Sequence, residues 1–258
     1  MIRVAAVGDV HFGLDSGGLL RAALERLAEQ ADVLLLAGDL TTCGDPEEAS
    51  VLAAELRDLP VPVVAVLGNH DYHSGREAEV RARLELGGIR VLEGEAETIE
   101  VGELRLSVAG VKGFMGGFAG ACGTEFGEQE MKEFIRVTQR AAARLEELLA
   151  GAGADMRVAL MHYAPVKGTL LGERLELYPF LGSYLLAEAV DRAGADLVLH
   201  GHAHGGTEKA ATPGGIHVRN VAQPVIRHAY KVYALGASRE AESPERREAH
   251  TAAEPTRF

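Results

Sequence analysis

The run Pro62-Val63-Val64-Ala65-Val66-Leu67 ends by delivering Gly68-Asn69-His70-Asp71, an amide, an imidazole and a carboxylate in consecutive positions. Buried without partners, such groups cost kilocalories, so a core strand that ends this way is building a site. The same ending recurs. Residues 2–7 lead into Gly8-Asp9-Val10-His11, and Val33-Leu34-Leu35-Leu36-Ala37 leads into Gly38-Asp39. Arg157-Val158-Ala159-Leu160-Met161 leads into His162, and residues 196–199 lead into His200-Gly201-His202-Ala203-His204. A fold for this chain has to bury five apolar runs while leaving their last residues free to meet.

Continuous apolar runs without alternation fit strands buried on both faces. Between them, Leu19, Leu20, Ala23, Leu24, Leu27 and Ala28 recur at helical spacing. Asp45-Pro46-Glu47-Glu48 reads as the start of a helix running to about Arg57, with Asp at the cap and Pro at the first position. Ser74-Gly75-Arg76-Glu77 reads as a capping box opening the next helix. Strand alternating with helix predicts an α/β fold with a mostly parallel sheet and right-handed crossovers. Ligands of such sheets bind at the carboxyl ends of the strands, where the polar groups lie.

Further along, residues 97–101 and 104–110 predict a hairpin around Gly102. Met131, Phe134, Ile135, Thr138, Ala142, Leu145 and Leu149 give a long amphipathic helix between Glu128 and Leu149. A helix near 182–193 and strands about 206–210, 216–221 and 229–235 follow. The stretch Val111–Gly120 is too rich in glycine to predict a regular element. Residues 113–127 read either as a flexible flap carrying Phe114, Met115, Phe118 and Phe126 towards the site, or as a loop whose aromatics pack onto the body. We expect one domain over residues 1–236 and a charged, disordered tail over 237–258, where periodicity is lost.

Charge narrows the partners. The net charge of −12, from 38 acidic and 26 basic residues, disfavours a nucleic acid polymer, which normally meets a basic face. No run of eighteen apolar residues is present, so no membrane partner is expected, and the first residues lack the layout of a leader peptide. With only Cys43 and Cys122, reduced thiols in a cytoplasmic protein are expected.

The strand-end donors are Asp9, His11, Asp39, Asn69, His162, His202 and His204. One divalent ion takes three or four protein ligands, so seven suit two ions sharing a carboxylate. Carboxylate and imidazole without thiolate suit Mn, Fe or Zn. Two such ions about 3.5–4 Å apart can activate a water and clamp a phosphoryl oxygen during in-line displacement.

The order Asp9-x-His11, Gly38-Asp39, Gly68-Asn69-His70-Asp71, His162 and Gly201-His202-x-His204 resembles the calcineurin-like metallophosphoesterase superfamily. Many members have Gly where Met161 stands, a departure that leaves the ligand itself in place. The resemblance implies two packed mixed β-sheets flanked by helices, an α/β/β/α sandwich. It implies that Asp9, His11 and His204 hold one metal, that Asn69, His162 and His202 hold the second, and that Asp39 bridges. His70 would face the substrate as proton donor or charge stabiliser, with Asp71 orienting its ring. The activity implied is hydrolysis of a small phosphoester, a diester such as a cyclic nucleotide or a monoester, by attack of a metal-bound hydroxide. A nuclease of the same superfamily and a metal-binding scaffold without turnover are the alternatives.

Taken singly, each block has an ordinary structural reading. Asp9-x-His11 could be an Asx turn, Asp39 a helix cap, Asn69 a turn residue and His162 a satisfied core histidine. Together, in one order and at five strand ends, they point to a site. His73, Lys112, Tyr163 and Lys167 lie just past strand ends, as substrate contacts or as loop residues. His200 supports a ligand or ends a core strand, and His217, His228 and His250 read as structural or exposed.

Overall fold

Each of the central apolar runs has two faces to cover, and the two packed sheets cover them differently. The computed structural model describes residues 1–236. Among them β1 (Ile2–Val7), β2 (Val33–Ala37), β3 (Val63–Val66), β4 (Ile89–Val91) and β13 (Lys231–Leu235) form a five-stranded sheet in the order β13-β1-β2-β3-β4. Strands β1 to β4 are parallel and β13 closes the edge antiparallel to β1.

A six-stranded sheet, in the order β11-β12-β10-β9-β6-β5, lies against it. Its members are β5 (Glu95–Val101), β6 (Leu104–Val111), β9 (Met156–Met161), β10 (Leu197–His200), β11 (Lys209–Ala211) and β12 (His217–Asn220). Strands β6, β9, β10 and β12 are parallel, and the edges β5 and β11 are antiparallel. The fold is therefore a sandwich of two mixed sheets flanked by helices, as the resemblance implied.

The alternation missing from the sequence reappears as a choice between two cores. Ile2, Val4, Ala6, Val33, Leu35, Val64 and Val66 meet Leu106, Val108, Val158, Leu160, Leu197 and Leu199 between the sheets. The intervening Ala5, Val7, Leu34, Leu36 and Ala65 face outwards onto α3 (Pro46–Leu56) and α4 (Glu77–Leu86). On the far side Ala159, Met161 and Val198 meet α5 (Gln129–Ala150) through Ala142, Leu145 and Leu149, and α7 (Tyr184–Ala193) through Leu186, Ala189 and Val190. Both faces of each run are buried, so no polar residue marks a solvent face.

Local signals were obeyed unevenly. Asp45 caps α3 through Glu47 N at 3.0 Å, and Ser183 caps α7 through Leu185 N. The capping box expected at Ser74 does not form. The Ser74 hydroxyl donates instead to Gly44 O at 2.6 Å, and α4 starts after Arg76 without a side-chain cap. The helix expected over 19–28 breaks into α1 (Arg21–Leu24) and α2 (Leu27–Gln30), whose Leu24 and Leu27 both reach the core. In the glycine-rich stretch, β7 (Gly117–Phe118) and β8 (Ala121–Cys122) do form a minute hairpin, because Ala119-Gly120 closes a two-residue turn. The strand β4 and the short helices α6 (Tyr178–Leu181) and α8 (Gln223–Ile226) carry too few residues for a periodic signal. The tail expected over 237–258 lies outside the described residues, as does His250. No helix among the described residues is long and apolar enough to cross a membrane.

The loop between His11 and α1 is anchored by one side chain. Buried Glu55 of α3 accepts Gly18 N at 2.8 Å, Leu20 N at 2.9 Å and Arg21 N at 2.5 Å. Replacing it strands three backbone donors. Glu55→Ala is expected to lower the unfolding free energy by about 2 kcal/mol in urea denaturation; an unchanged midpoint would show that the loop needs no such anchor.

Candidate metal centre

The carboxyl ends of the parallel strands are level, so the residues that follow them are neighbours. Val7 pairs with Leu36 and Ala37 with Val66 in one sheet; Val111 pairs with Met161 in the other. Backbone bonds continue past the strands. Asp9 N donates to Gly38 O at 2.9 Å and His11 N to Asp39 O at 3.1 Å. In the second sheet His162 N donates to Lys112 O at 3.0 Å and Gly201 N to His162 O at 3.1 Å. Two bonds then stitch sheet to sheet. His162 Nδ1 donates to Ala37 O at 2.9 Å, and His202 N meets both oxygens of Asp9 at 3.0 Å.

This closeness strains the backbone. Asp9, His11, Asp39 and His202 have φ of 56°, 42°, 50° and 69°, the left-handed region that non-glycine residues avoid. Each costs of order 1–3 kcal/mol and persists only where its surroundings over-determine it. Glycine before a donor has a steric reason. A Cβ on Gly201 would collide with Asp9 Oδ2, and one on Gly68 would collide with Asp39 Oδ1.

Six strand-end donors thus gather around a seventh, the buried carboxylate of Asp39. Asp9, His11, Asp39 and His204 each offer an atom within 4.8 Å of the others, and so do Asp39, His162 and His202. Asp39 belongs to both groups. Its Oδ1 lies 3.3 Å from His162 Nε2, and its Oδ2 lies 3.8 Å from His11 Nε2. Asn69 Oδ1 completes the second group, 3.0 Å from His162 Nε2.

The donors fit cations. With its Nδ1 proton given to Ala37 O, the neutral His162 ring turns a lone pair from Nε2 towards Asn69 Oδ1 and Asp39 Oδ1, which are also lone-pair bearers. Burial pushes the pKa of His162 down to about 3 and that of His202 to about 3, so both rings are neutral at physiological pH, the form in which imidazole can ligate a metal. In the first group His11 Nε2 is buried and has no hydrogen-bond partner. Burial raises Asp9 to about 6, against the bond at 2.8 Å that His204 Nε2 makes to it, while that bond raises His204. The bare nitrogens of His11 and His162, beside carboxylate and amide oxygens, are what a metal ion satisfies.

The pair expected to do the chemistry divides. His70 sits partly exposed at the mouth, its Nε2 4.0 Å from Asp39 Oδ2 and its ring centroid 4.5 Å from that of His11. Asp71 does not orient it, contrary to expectation. Fully buried, Asp71 accepts Leu40 N, Thr41 N, Thr41 Oγ1 and Gly68 N at 2.6–3.1 Å, bracing the loop after β2 against the loop after β3. The His70 ring is held by Thr42 O, which accepts Nδ1–H at 2.7 Å.

Tyr163 and Lys112 border the cluster. The Tyr163 ring packs 5.4 Å from His162 and 4.5 Å from His202, and burial followed by Asp39 pushes its phenol up to about 12. Lys112 Nζ stands 3.6 Å over the Tyr72 ring. His73 is exposed, its backbone N bonded to His70 O, and its ring joins neither donor group. Lys167 Nζ is tied to Ala119 O at 2.5 Å. His200 is a core residue, buried between Gly201 O and the Thr169 hydroxyl. Phe114, Met115 and Phe118 pack on the body, and Phe126 is exposed. Sequence reasoning missed Thr42 and Phe180, whose carbonyls hold His70 Nδ1 and His202 Nε2. A backbone carbonyl leaves no residue-type signal by which to find it.

The sequence model of calcineurin-like phosphoesterases matches residues 2–206, the whole span from β1 through the His202-x-His204 block. The chain belongs to the calcineurin-like phosphoesterase family. It is accordingly a hydrolase acting on phosphoester bonds, with clusters that could hold divalent metal. No curated protein matches the chain. Among solved structures it is similar to the phosphopantetheinyl hydrolase PptH of Mycobacterium tuberculosis, with a TM-score of 0.63 and 15% identity over 90% of this chain and 98% of that one. It is similar to the protein TT1561 of Thermus thermophilus, with a TM-score of 0.59 and 18% identity over 90% and 98%. GAP50, the anchor in the inner membrane complex of Plasmodium, has the same fold at a TM-score of 0.54 and 14% identity over 86% and 72%. At such identities the likeness carries the fold alone.

The division between His70 and Asp71 is measurable. Asp71→Ala is expected to lower the unfolding free energy by about 3 kcal/mol, because it leaves buried backbone donors unpaired. His70→Ala, at the partly exposed mouth, is expected to change it by less than about 1 kcal/mol. Equal stability of the two variants in urea would contradict the bracing role.

Proposed function

We propose that the chain hydrolyses a small phosphoester at a two-metal centre. Asp9, His11 and His204 would hold one divalent ion and Asn69, His162 and His202 the other, with Asp39 shared between them. The observation that carries this reading is the membership of Asp39 in both donor groups, one oxygen turned towards His162 and the other towards His11. Ions so held, with Mn, Fe or Zn suited to the donors, supply a water activated at neutral pH and neutralise charge on phosphoryl oxygens.

The remaining work falls to His70. Because Thr42 O accepts from Nδ1, Nε2 is the ring nitrogen left to meet the substrate. That atom faces the cluster, where it can donate to the leaving oxygen. A net charge of −12 repels polyanions and supports a small substrate. Free thiols at Cys43 and Cys122 support a reducing, cytoplasmic setting.

A second reading has one observation in its favour: GAP50 shares the fold and is an anchor. Hydrolysis of bis-p-nitrophenyl phosphate and p-nitrophenyl phosphate with added Mn²⁺ separates the two. We expect turnover that EDTA abolishes and that His70→Ala lowers about 100-fold. Tight Mn²⁺ binding without turnover of any ester would favour the scaffold. Rates surviving both EDTA and His70→Ala would contradict the mechanism, and faster cutting of single-stranded DNA than of either ester would replace the small substrate by a nuclease activity.

A further inference from the structure

One side of the metal centre is walled by aromatic rings with a single cation among them. Lys112 follows β6, its carbonyl receiving the backbone N–H groups of His162 at 3.0 Å and Tyr163 at 3.2 Å. Its ammonium stands 3.6 Å over the ring of Tyr72, the residue after Asn69-His70-Asp71, and 5.9 Å from that of Phe114. Phe114 packs 5.9 Å from Tyr163, which continues the wall to His202. Glu93, Glu77, Asp71 and Asp39, in that order, act on the Lys112 charge, and Asp39 also acts on the Tyr163 phenol.

Both polar tips are idle. Among the described residues Lys112 Nζ makes no hydrogen bond and no ion pair, since the nearby Glu93 is engaged by the Tyr72 hydroxyl. The Tyr163 hydroxyl likewise bonds to no described residue. Neither tip is closed off from solvent, so both are open to a ligand at the centre. The stem of Lys112 is committed to the wall and no carboxylate pairs directly with its ammonium, which leaves it free to meet an anion held at the centre.

Building on the two-metal reading, we propose that Lys112 and Tyr163 bind the extra anionic oxygen that distinguishes a phosphomonoester from a phosphodiester. A diester has two unesterified oxygens and one negative charge; a monoester has three and, near neutrality, close to two charges. A two-ion centre is built to answer two oxygens, and an additional ammonium and hydroxyl answer the third. The substrate class selected is a small phosphomonoester dianion. Lys112 and Tyr163 are substrate-binding residues whose effect falls mainly on KM.

The test compares wild-type protein with Lys112→Met, which keeps the stem over the rings, Lys112→Arg, which keeps the charge, and Tyr163→Phe. With Mn²⁺, Lys112→Met is expected to lower the ratio of kcat/KM for p-nitrophenyl phosphate to that for bis-p-nitrophenyl phosphate at least about tenfold, mostly through KM. Tyr163→Phe is expected to lower it about threefold, and Lys112→Arg to retain more of it than Lys112→Met. Calorimetric binding of inorganic phosphate to the Mn²⁺-loaded protein is expected to weaken about tenfold in Lys112→Met, a readout independent of turnover. An unchanged ester ratio, or phosphate binding equal to wild type, would overturn the proposal. Failure of the wild-type protein to turn over either ester would count instead against the phosphoesterase mechanism, with phosphate binding still deciding the role of Lys112.

Discussion

Asp39 is buried at the seam of two sheets and, among the described residues, has a single strong donor of its own, the backbone N–H of His70 at 2.8 Å. Imidazoles face it from both sides, and two of them present bare nitrogens. A carboxylate so placed is expensive unless something positive completes it. The arrangement fits the proposed chemistry, in which one anion would serve two cations at once. The left-handed backbone at Asp9, His11, Asp39 and His202 has the same origin, since these residues turn sharply to face a common centre.

Rigidity comes from elements that take no part in the chemistry. Five parallel strands of two sheets end at one level, and hydrogen bonds run on past them from loop to loop. Asp71 adds a brace between the loops carrying Asp39 and Asn69. It illustrates how a residue inside a functional motif can serve position alone. His70, one residue earlier, is left partly exposed, with its proton assigned by a carbonyl.

Much of this was legible because polar residues at the end of a buried strand have few structural uses. Asp9, His11, Asp39, Asn69, His162, His202 and His204 all declared themselves that way, and the structure brings them together. The two sheets themselves were not legible from periodicity, because every central run is buried on both faces and only the resemblance separated them. What escaped was carried by backbone or by competition. Thr42 and Phe180 act through carbonyls. Ser74 had two possible partners and the tertiary one won over the helix end. Asp71 sits beside His70 in sequence, yet its buried carboxylate turns away to four other donors.

In the proposed centre one carboxylate serves two ions. Anomalous diffraction from crystals soaked in Mn²⁺ measures this most directly. Two peaks about 3.5–4 Å apart are expected on either side of the Asp39 carboxylate, one beside His11 and His204 and one beside Asn69, His162 and His202. A single peak at full occupancy, or manganese bound away from Asp39, would contradict it.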